Sequence, residues 1–364
     1  MAGPVILTAG GTGGHLFPAE ALARELLDRG RQVALVTDKR GGDFPVEGVP
    51  TYRIPAGRFG AGLGAKIRGV ADLARGTLAA RRLLKQLAAR SVVGFGGYPS
   101  MPAMLAAHRL GLPTMIHEQN AVLGRANKIL AKRVGRVATQ FQTVEGLAAE
   151  DKGKIVHTGN PVRPAIVALR ARPYEAPDAT GPVRLLVIGG SLGAAILSRV
   201  VPPALLALPD ALKARLRISQ QVRPEDAEKV AGLYAGSGLE IETQRFFTDM
   251  PERLASAHLV IARAGGSTTA ELSVAGRPAI LVPYAAAIAD EQTANARHLV
   301  AAGGAWLMPE REFTASALTA LIEKLAGEPE TLGAAAAAAR TLGEPEAARR
   351  LADLVDLIER EDAR

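Results

Sequence analysis

Three stretches carry the residue types that hold phosphate. Gly10-Gly11-Thr12-Gly13-Gly14, Gly189-Gly190-Ser191-Leu192-Gly193-Ala194 and Arg263-Ala264-Gly265-Gly266-Ser267-Thr268 each follow a short apolar run and precede a helical pattern. A glycine-rich turn at that junction lets backbone N–H groups approach an anion at the positive end of a helix. That physics serves any phosphate, so spacing has to narrow it. Neither of the first two loops runs into Lys-Ser or Lys-Thr, which excludes a P-loop. The first places Gly11 and Gly13 correctly for G-x-G-x-x-G but has Leu16 at the third position, which disfavours a dinucleotide fold and an NAD(P) oxidoreductase. The chain has no Asp-x-Asp and no His-Glu-x-x-His, so no tightly held catalytic metal is expected. Positive charge on a leaving phosphate must then come from helix ends and side chains. Cysteine is absent, which excludes a disulfide framework, a thiolate metal site and a cysteine nucleophile.

The elements that position these loops repeat. Val5 to Ala9 reads as a strand ending in the first glycine loop, a helix follows from about Phe17 to Arg29, and Gln32 to Thr37 is a second strand. The same order returns with Val183 to Ile188, the second loop and a helix from Ala195. Leu259 to Ala262 leads into the third loop and another helix, and Ala279 to Pro283 is one more short strand. Strands alternating with helices imply parallel sheets covered on both faces. The expected fold class is α/β, with two Rossmann-like doubly wound domains facing one another. The join falls near Gly159-Asn160-Pro161-Val162-Arg163-Pro164, and 171–182 reads as a loop. From Glu344 onward the chain is helical and charged, and taken alone it reads as a surface helix of the second domain.

A length of 364 residues favours about two domains, and 48% apolar residues are ample for two cores. No signal peptide and no transmembrane helix are expected from the sequence. The formal charge of +8 is concentrated. Between Arg53 and Arg90, nine basic residues (Arg53, Arg58, Lys66, Arg68, Arg75, Arg81, Arg82, Lys85, Arg90) face Asp72 alone. Interleaved with them are Phe59, Leu63, Ile67, Val70, Leu73, Leu78, Leu83, Leu84 and Leu87, the composition of an interfacial patch on anionic lipid. A solvated helix face is the plainer reading of such a run.

The combination of Gly10 to His15, Gly94-Phe95-Gly96-Gly97-Tyr98, His117-Glu118-Gln119-Asn120, Gly159 to Arg163 and Gly189 to Ala194 resembles the MurG family in order and spacing over essentially the whole chain. The resemblance implies a GT-B architecture with the active site in the cleft between domains. It implies an N-terminal acceptor- and membrane-binding domain (1–160, joined by the C-terminal helix 344–364) and a donor-binding domain (165–343). The activity implied is transfer of N-acetylglucosamine from UDP-N-acetylglucosamine to lipid I, giving lipid II during peptidoglycan synthesis. The donor is a substrate, and no tightly bound cofactor is implied. Partners implied are the donor, the undecaprenyl-linked acceptor, an anionic membrane surface at the cytoplasmic face and other cell-wall synthesis proteins, with no nucleic acid.

Carried over residue by residue, the donor site would use Gly190, Ser191 and Gly193 for the UDP phosphates and Glu271 for the ribose diol, a carboxylate able to take two donors. Phe247 would read the uracil edge through its backbone, with Phe246 beside it. Arg263 and Thr268 would lie near the phosphates, and Glu291, Gln292 and Asn295 would grip the sugar hydroxyls. Thr12, Gly13, Gly14, Asn120 and Arg163 are also implied at the donor. Gly13, Gly14, His15, Tyr98, Asn120 and Asn127 would hold the acceptor. His15 is the leading general-base candidate because imidazole can take the proton of the attacking 4-hydroxyl near neutral pH, and Glu118 is the second. His108, His157, His258 and His298 read as structural.

Two places depart from the family pattern. Leu192 stands where Gln is common, and Tyr284 to Ala289 is blander than the polar stretch expected. The reaction implied is an inverting single displacement that needs no covalent nucleophile. A different GT-B enzyme, such as a UDP-N-acetylglucosamine 2-epimerase, would share the fold but lack the His117 to Asn120 element. A nucleic-acid-binding protein would use the charge without needing three glycine loops, and it would show stacked surface aromatics, whereas aromatic residues are 4% of this chain.

Overall fold

The computed structural model describes residues 3–10, 13–39, 44–57, 62–190, 193–287 and 289–362, the side chains of 63 and 65–67 excepted. The chain forms two compact units, Met1–Arg163 with Glu344–Arg364, and Pro164–Gly343.

The first unit holds β1 (Val5–Thr8), α1 (Gly13–Asp28), β2 (Val33–Thr37), β3 (Thr51–Arg53), α2 (Leu63–Gln86), β4 (Ser91–Gly94), α3 (Met101–Arg109), β5 (Thr114–Glu118), α4 (Arg125–Leu130), β6 (Arg136–Thr139) and β7 (Ile155–His157). Its sheet runs β3-β2-β1-β4-β5-β6-β7, and every pairing is parallel. Buried apolar side chains line both faces, as a parallel sheet requires. Strand order reverses between β1 and β4, so their carboxyl ends flank the crevice where doubly wound sheets bind ligands.

The second unit holds α5 (Pro164–Val167), β8 (Val183–Ile188), α6 (Ala195–Leu206), α7 (Asp210–Lys213), β9 (Leu216–Gln221), α8 (Ala227–Tyr234), β10 (Glu240–Gln244), α9 (Met250–Ser256) and β11 (Leu259–Ala262). It continues with α10 (Gly266–Ala275), β12 (Ala279–Leu281), α11 (Glu291–Ala301), β13 (Ala305–Leu307), α12 (Ala315–Gly327) and α13 (Pro329–Thr341). The sheet order is β10-β9-β8-β11-β12-β13, again parallel, with its switch point between β8 and β11. The second and third glycine loops leave those two strands.

The last helix, α14 (Ala347–Asp362), belongs to the first unit. Leu351, Ala352, Leu354, Val355 and Ile358 enter the core formed by Val5, Leu7, Leu22 and Leu26. Its charged face is paired as well. Arg31 bonds Asp356 and reaches Glu359 at 2.6 Å, and Glu359 also accepts from Ser91 Oγ at 2.7 Å. The return is close enough to demand glycine at 159, where φ is +79° and a Cβ would meet Glu344 Cβ at 2.6 Å.

The last helix is therefore not a surface helix of the second unit, and two further readings change here. The first helix begins at Gly13 rather than Phe17, so Gly13 and Gly14 form its first turn and their N–H groups are helix-terminal donors. The apolar side chains of α2 divide between core and solvent. Leu84 is buried, and Leu73, Leu83 and Leu87 pack against the core. Gly76 is close-packed, since a Cβ there would sit 2.0 Å from the Pro55 carbonyl oxygen. Among the described apolar residues of that run, Val70 and Leu78 face outward, alongside exposed Arg68, Arg75, Arg81, Arg82 and Lys85. Helical spacing, not composition, decides which residues are free. Arg58 and Phe59 lie outside the described residues, as do the side chains of Leu63, Lys66 and Ile67.

Candidate active site

At the switch point of the first unit, the turn after β4 carries Gly96 at φ +90° and Gly97 at φ +75°, a backbone that side chains resist. The His15 ring, from the first turn of α1, lies against this turn. A Cβ on Gly96 would stand 3.4 Å from His15 Cε1, and one on Gly10 would stand 3.2 Å from Cδ2. Bare backbone is what lets the imidazole settle there. His15 Nδ1 is 3.1 Å from Gln119 Oε1. Burial lowers the His15 pKa, outweighing the Glu118 charge and the hydrogen bonds to Gln119 and the Phe95 carbonyl, which raise it.

The end of β5 supports this arrangement. His117 is fully buried, contacts the Gly159 carbonyl through Nε2 at 2.9 Å, and is pushed down to about 4, chiefly by burial. Glu118 is buried with both oxygens occupied. Oε1 accepts from Asn120 N and Nδ2, each at 3.1 Å, and Oε2 accepts from Gly124 N and Asn127 Nδ2, each at 2.9 Å. Asn127 is buried, Asn120 and Tyr98 are half-buried, and Gly14 is exposed. The Arg163 guanidinium lies 4.5 Å over the Phe17 ring. The first unit thus gathers His15, Glu118, Asn120 and Asn127 around the ends of β4 and β5.

In the second unit, Gln221 at the end of β9 organises the switch point. Its Oε1 accepts from Gly189 N at 2.9 Å, while Nε2 donates to the carbonyls of Gly190 and Arg245, each at 3.0 Å. One buried amide therefore ties the second glycine loop to the segment bearing Phe246 and Phe247. Phe247 is buried beneath the Arg253 guanidinium at 4.1 Å, while Phe246 is 51% exposed. Gly190 and Gly193 adopt φ of +78° and +69°. Thr12, Ser191 and Leu192 lie outside the described residues, as does Ile288 of the 284–289 stretch.

The third loop shows partners that the sequence did not. Arg263 is engaged within the protein. One terminal nitrogen donates to the carbonyls of Val282 and Pro283, each at 3.0 Å, and the other pairs with Glu310 at 2.6 Å. Glu310 also accepts from Ala285 N, and Gln292 Oε1 accepts from Tyr284 N at 3.0 Å. Arg263, Glu310 and Gln292 together pin the segment 282–285. Asn295, expected at the sugar, is fully buried and donates to the Ala264 carbonyl at 3.0 Å, which locks α11 to the third loop. What the loop does offer an anion is the N-terminus of α10, with Thr268 half-buried in the first turn and Glu271 one turn on. Glu291 is half-buried at the start of α11. Among the described residues, no group of three or more acidic or histidine side chains is placed to hold a metal.

Gln221 and Glu310 were not legible as site residues. A polar residue closing a buried strand beside the switch point is the signal that marks Gln221, whereas Glu310 is visible only through its contacts.

Two parallel Rossmann-type sheets, each with glycine loops at its switch point, define a two-domain α/β protein of the GT-B fold class. Residues 5–139 match the glycosyltransferase family 28 N-terminal domain, and residues 184–351 match the family 28 C-terminal domain. The chain is 55% identical to a protein of Rhodospirillum centenum named UDP-N-acetylglucosamine–N-acetylmuramyl-(pentapeptide) pyrophosphoryl-undecaprenol N-acetylglucosamine transferase, over 97% of this chain and 93% of that one. A protein of the same name from Paramagnetospirillum magneticum is 53% identical over 96% of this chain and 95% of its own. The crystal structure of Acinetobacter baumannii MurG superposes with a TM-score of 0.76 at 32% identity, covering 97% of this chain and 99% of that one. A putative UDP-N-acetylglucosamine 2-epimerase from Listeria monocytogenes reaches a TM-score of 0.71 at 16% identity, with 98% and 96% covered, a likeness of fold alone. The chain belongs to the MurG family, within glycosyltransferase family 28.

Proposed function

We propose that this protein transfers N-acetylglucosamine from UDP-N-acetylglucosamine to the 4-hydroxyl of the muramoyl sugar of an undecaprenyl-pyrophosphate acceptor, converting lipid I to lipid II. The observation that carries this reading is near-full-length identity above 50% to relatives that bear that name. The epimerase alternative is not favoured, because its likeness is confined to fold.

The acceptor hydroxyl attacks the anomeric carbon opposite UDP, and the C–O bond to the diphosphate breaks with its electron pair leaving on UDP. His15 takes the hydroxyl proton. Its lowered pKa keeps it neutral at neutral pH, as a base must be. Glu118, already accepting four hydrogen bonds, supports the role of holding 119–124 in place instead. With Arg263 engaged elsewhere, charge developing on the diphosphate is met by backbone N–H groups, those of α10 among them. Glu271 takes the ribose hydroxyls, and Phe246 and the Phe247 backbone face the uracil. Gln292 and Asn295 act on the sugar by fixing the segment and helix that contact it.

No helix among the described residues is long and apolar enough to cross a membrane. The acceptor is a lipid, and the outward face of α2, with Val70 and Leu78 among five basic residues, is suited to the anionic cytoplasmic surface. Vesicle flotation tests this: binding should require acidic lipid and weaken with salt. Binding that ignores salt contradicts it. For the reaction itself, incubation with labelled donor and a lipid I analogue should yield a β-linked disaccharide. Conversion of the donor sugar to its 2-epimer, with no transfer, would replace this reading with the alternative.

A further inference from the structure

The hydrogen bonds behind His15 have a direction, and it is set far from the ring. The Gly159 carbonyl can only accept, so His117 Nε2, 2.9 Å away, must carry a proton. A neutral His117 then has its lone pair on Nδ1, which faces Gln119 Nε2 at 3.0 Å. The same amide nitrogen lies 3.1 Å from the carbonyls of Phe95 and His117. Three acceptors surround it, so the amide of Gln119 has one allowed orientation. Flipping it would set an oxygen against two carbonyl oxygens and a lone pair. Its Oε1 is therefore the atom turned toward His15 Nδ1 at 3.1 Å, and an amide oxygen there requires an N–H.

We infer that Gln119 is a positioning residue that holds His15 in the Nδ1–H tautomer, leaving the Nε2 lone pair for the proton of the attacking hydroxyl, with the polarity imposed from the Gly159 carbonyl through His117. This deepens the proposed function and rests on His15 being the base. Free imidazole in water favours the opposite tautomer, so without Gln119 the ring would mostly present an N–H where a base is needed. On transfer, the proton arrives at Nε2, and the imidazolium keeps its Nδ1–H on Gln119. It goes no further, because burial holds His117 neutral. The chain orients the base without conducting the proton. The charged or titratable groups facing the ring are Glu118 and His117, both on β5.

The test is side-chain 15N NMR of the histidine-labelled full chain, whose six histidines include His15, assigned by loss of one signal in His15→Ala. The wild type should show His15 with protonated Nδ1 and bare Nε2, and His117 with the reverse. A predominantly Nε2–H His15 in the wild type overturns the inference without any Gln119 variant having to fold. Gln119→Met, similar in size but without the amide, should shift His15 toward the Nε2–H form. It should also lower kcat roughly 100-fold, the lower end of what a general base contributes, at an unchanged KM for UDP-N-acetylglucosamine. A fall in kcat with the tautomer unmoved would make Gln119 merely structural, which also overturns it. The reading beneath fails separately: His15→Ala that transfers at the wild-type rate removes the base while the NMR assignment stands.

Discussion

Replacing Glu118 with Gln separates a structural carboxylate from a chemical one. Each oxygen of the buried Glu118 carboxylate accepts two hydrogen bonds, from Asn120 on one side and from Gly124 and Asn127 on the other. A glutamine has one oxygen and one NH2 group, so whichever way it lies, two donors meet a donor. A buried donor left unpaired costs about 1–3 kcal/mol, so two make roughly 3 kcal/mol a conservative figure. For a unit of this size, about 2–4 °C is lost per kcal/mol, so the melting transition of the first unit should fall by about 6–12 °C. Calorimetry reads the transition, and a transfer assay run well below it reads activity. Because Asn120, Asn127 and the backbone around Gly124 would shift, kcat should fall about tenfold, with a matching rise in KM for the acceptor. The reasoning is refuted by a Glu118→Gln protein that melts like wild type yet loses transfer altogether. That result would make Glu118 the base and His15 its companion.

Acidification should weaken the first unit through His117. Its pKa is 6.5 unfolded and about 4 folded, so the stabilising neutral state is fully present above pH 6.5 and is lost as pH falls toward 4. Over that window about 3 kcal/mol disappears, which urea midpoints at stepped pH will show and which His117→Gln should flatten. The acid limb of kcat/KM should lie below pH 6.5, since burial lowers the His15 pKa and the base works only when neutral. A limb above 6.5 would contradict the assignment. Arg263→Ala and Glu310→Ala should each weaken UDP-N-acetylglucosamine binding severalfold, and the double variant little further, because both act through segment 282–285. Calorimetric titration checks this, and additive losses would return Arg263 to the phosphates. Gly96→Ala forces a Cβ into φ +90° within 3.3 Å of Asn127 Nδ2. It should destabilise by about 1–3 kcal/mol and lower kcat with little change in donor KM, which steady-state kinetics and thermal melts will read.

Strand, glycine loop and helix were legible because β-branched runs and glycine clusters mark the carboxyl end of a buried parallel strand, as at β1, β8 and β11. Short strands such as β3 and β7, and the polar edge strand β10, carry no such periodicity. The helical pattern of the sequence starts only at Phe17 because glycine is a poor helix former, yet α1 starts at Gly13, since a first turn needs no helix-forming side chains when its N–H groups are left for a ligand. Composition marked the 53–90 run as basic and apolar but could not tell outward Val70 and Leu78 from core Leu84. The residue types of the site were visible, and their partners were not. The pairing of Arg263 with Glu310 shows only in the structure, and Gln119 gains a role only when Gly159 is seen to end its chain of hydrogen bonds.

The central claim is that this chain moves N-acetylglucosamine to a lipid-linked acceptor with His15 as base. Single-turnover transfer from labelled UDP-N-acetylglucosamine to a lipid I analogue, wild type beside His15→Ala, tests it most directly. Disaccharide formed by the wild type, with the variant slower by at least about 100-fold at unaltered donor binding, is the predicted result. Saturable UDP binding without product from a competent acceptor would contradict the transfer, and equal rates in the two proteins would contradict the base.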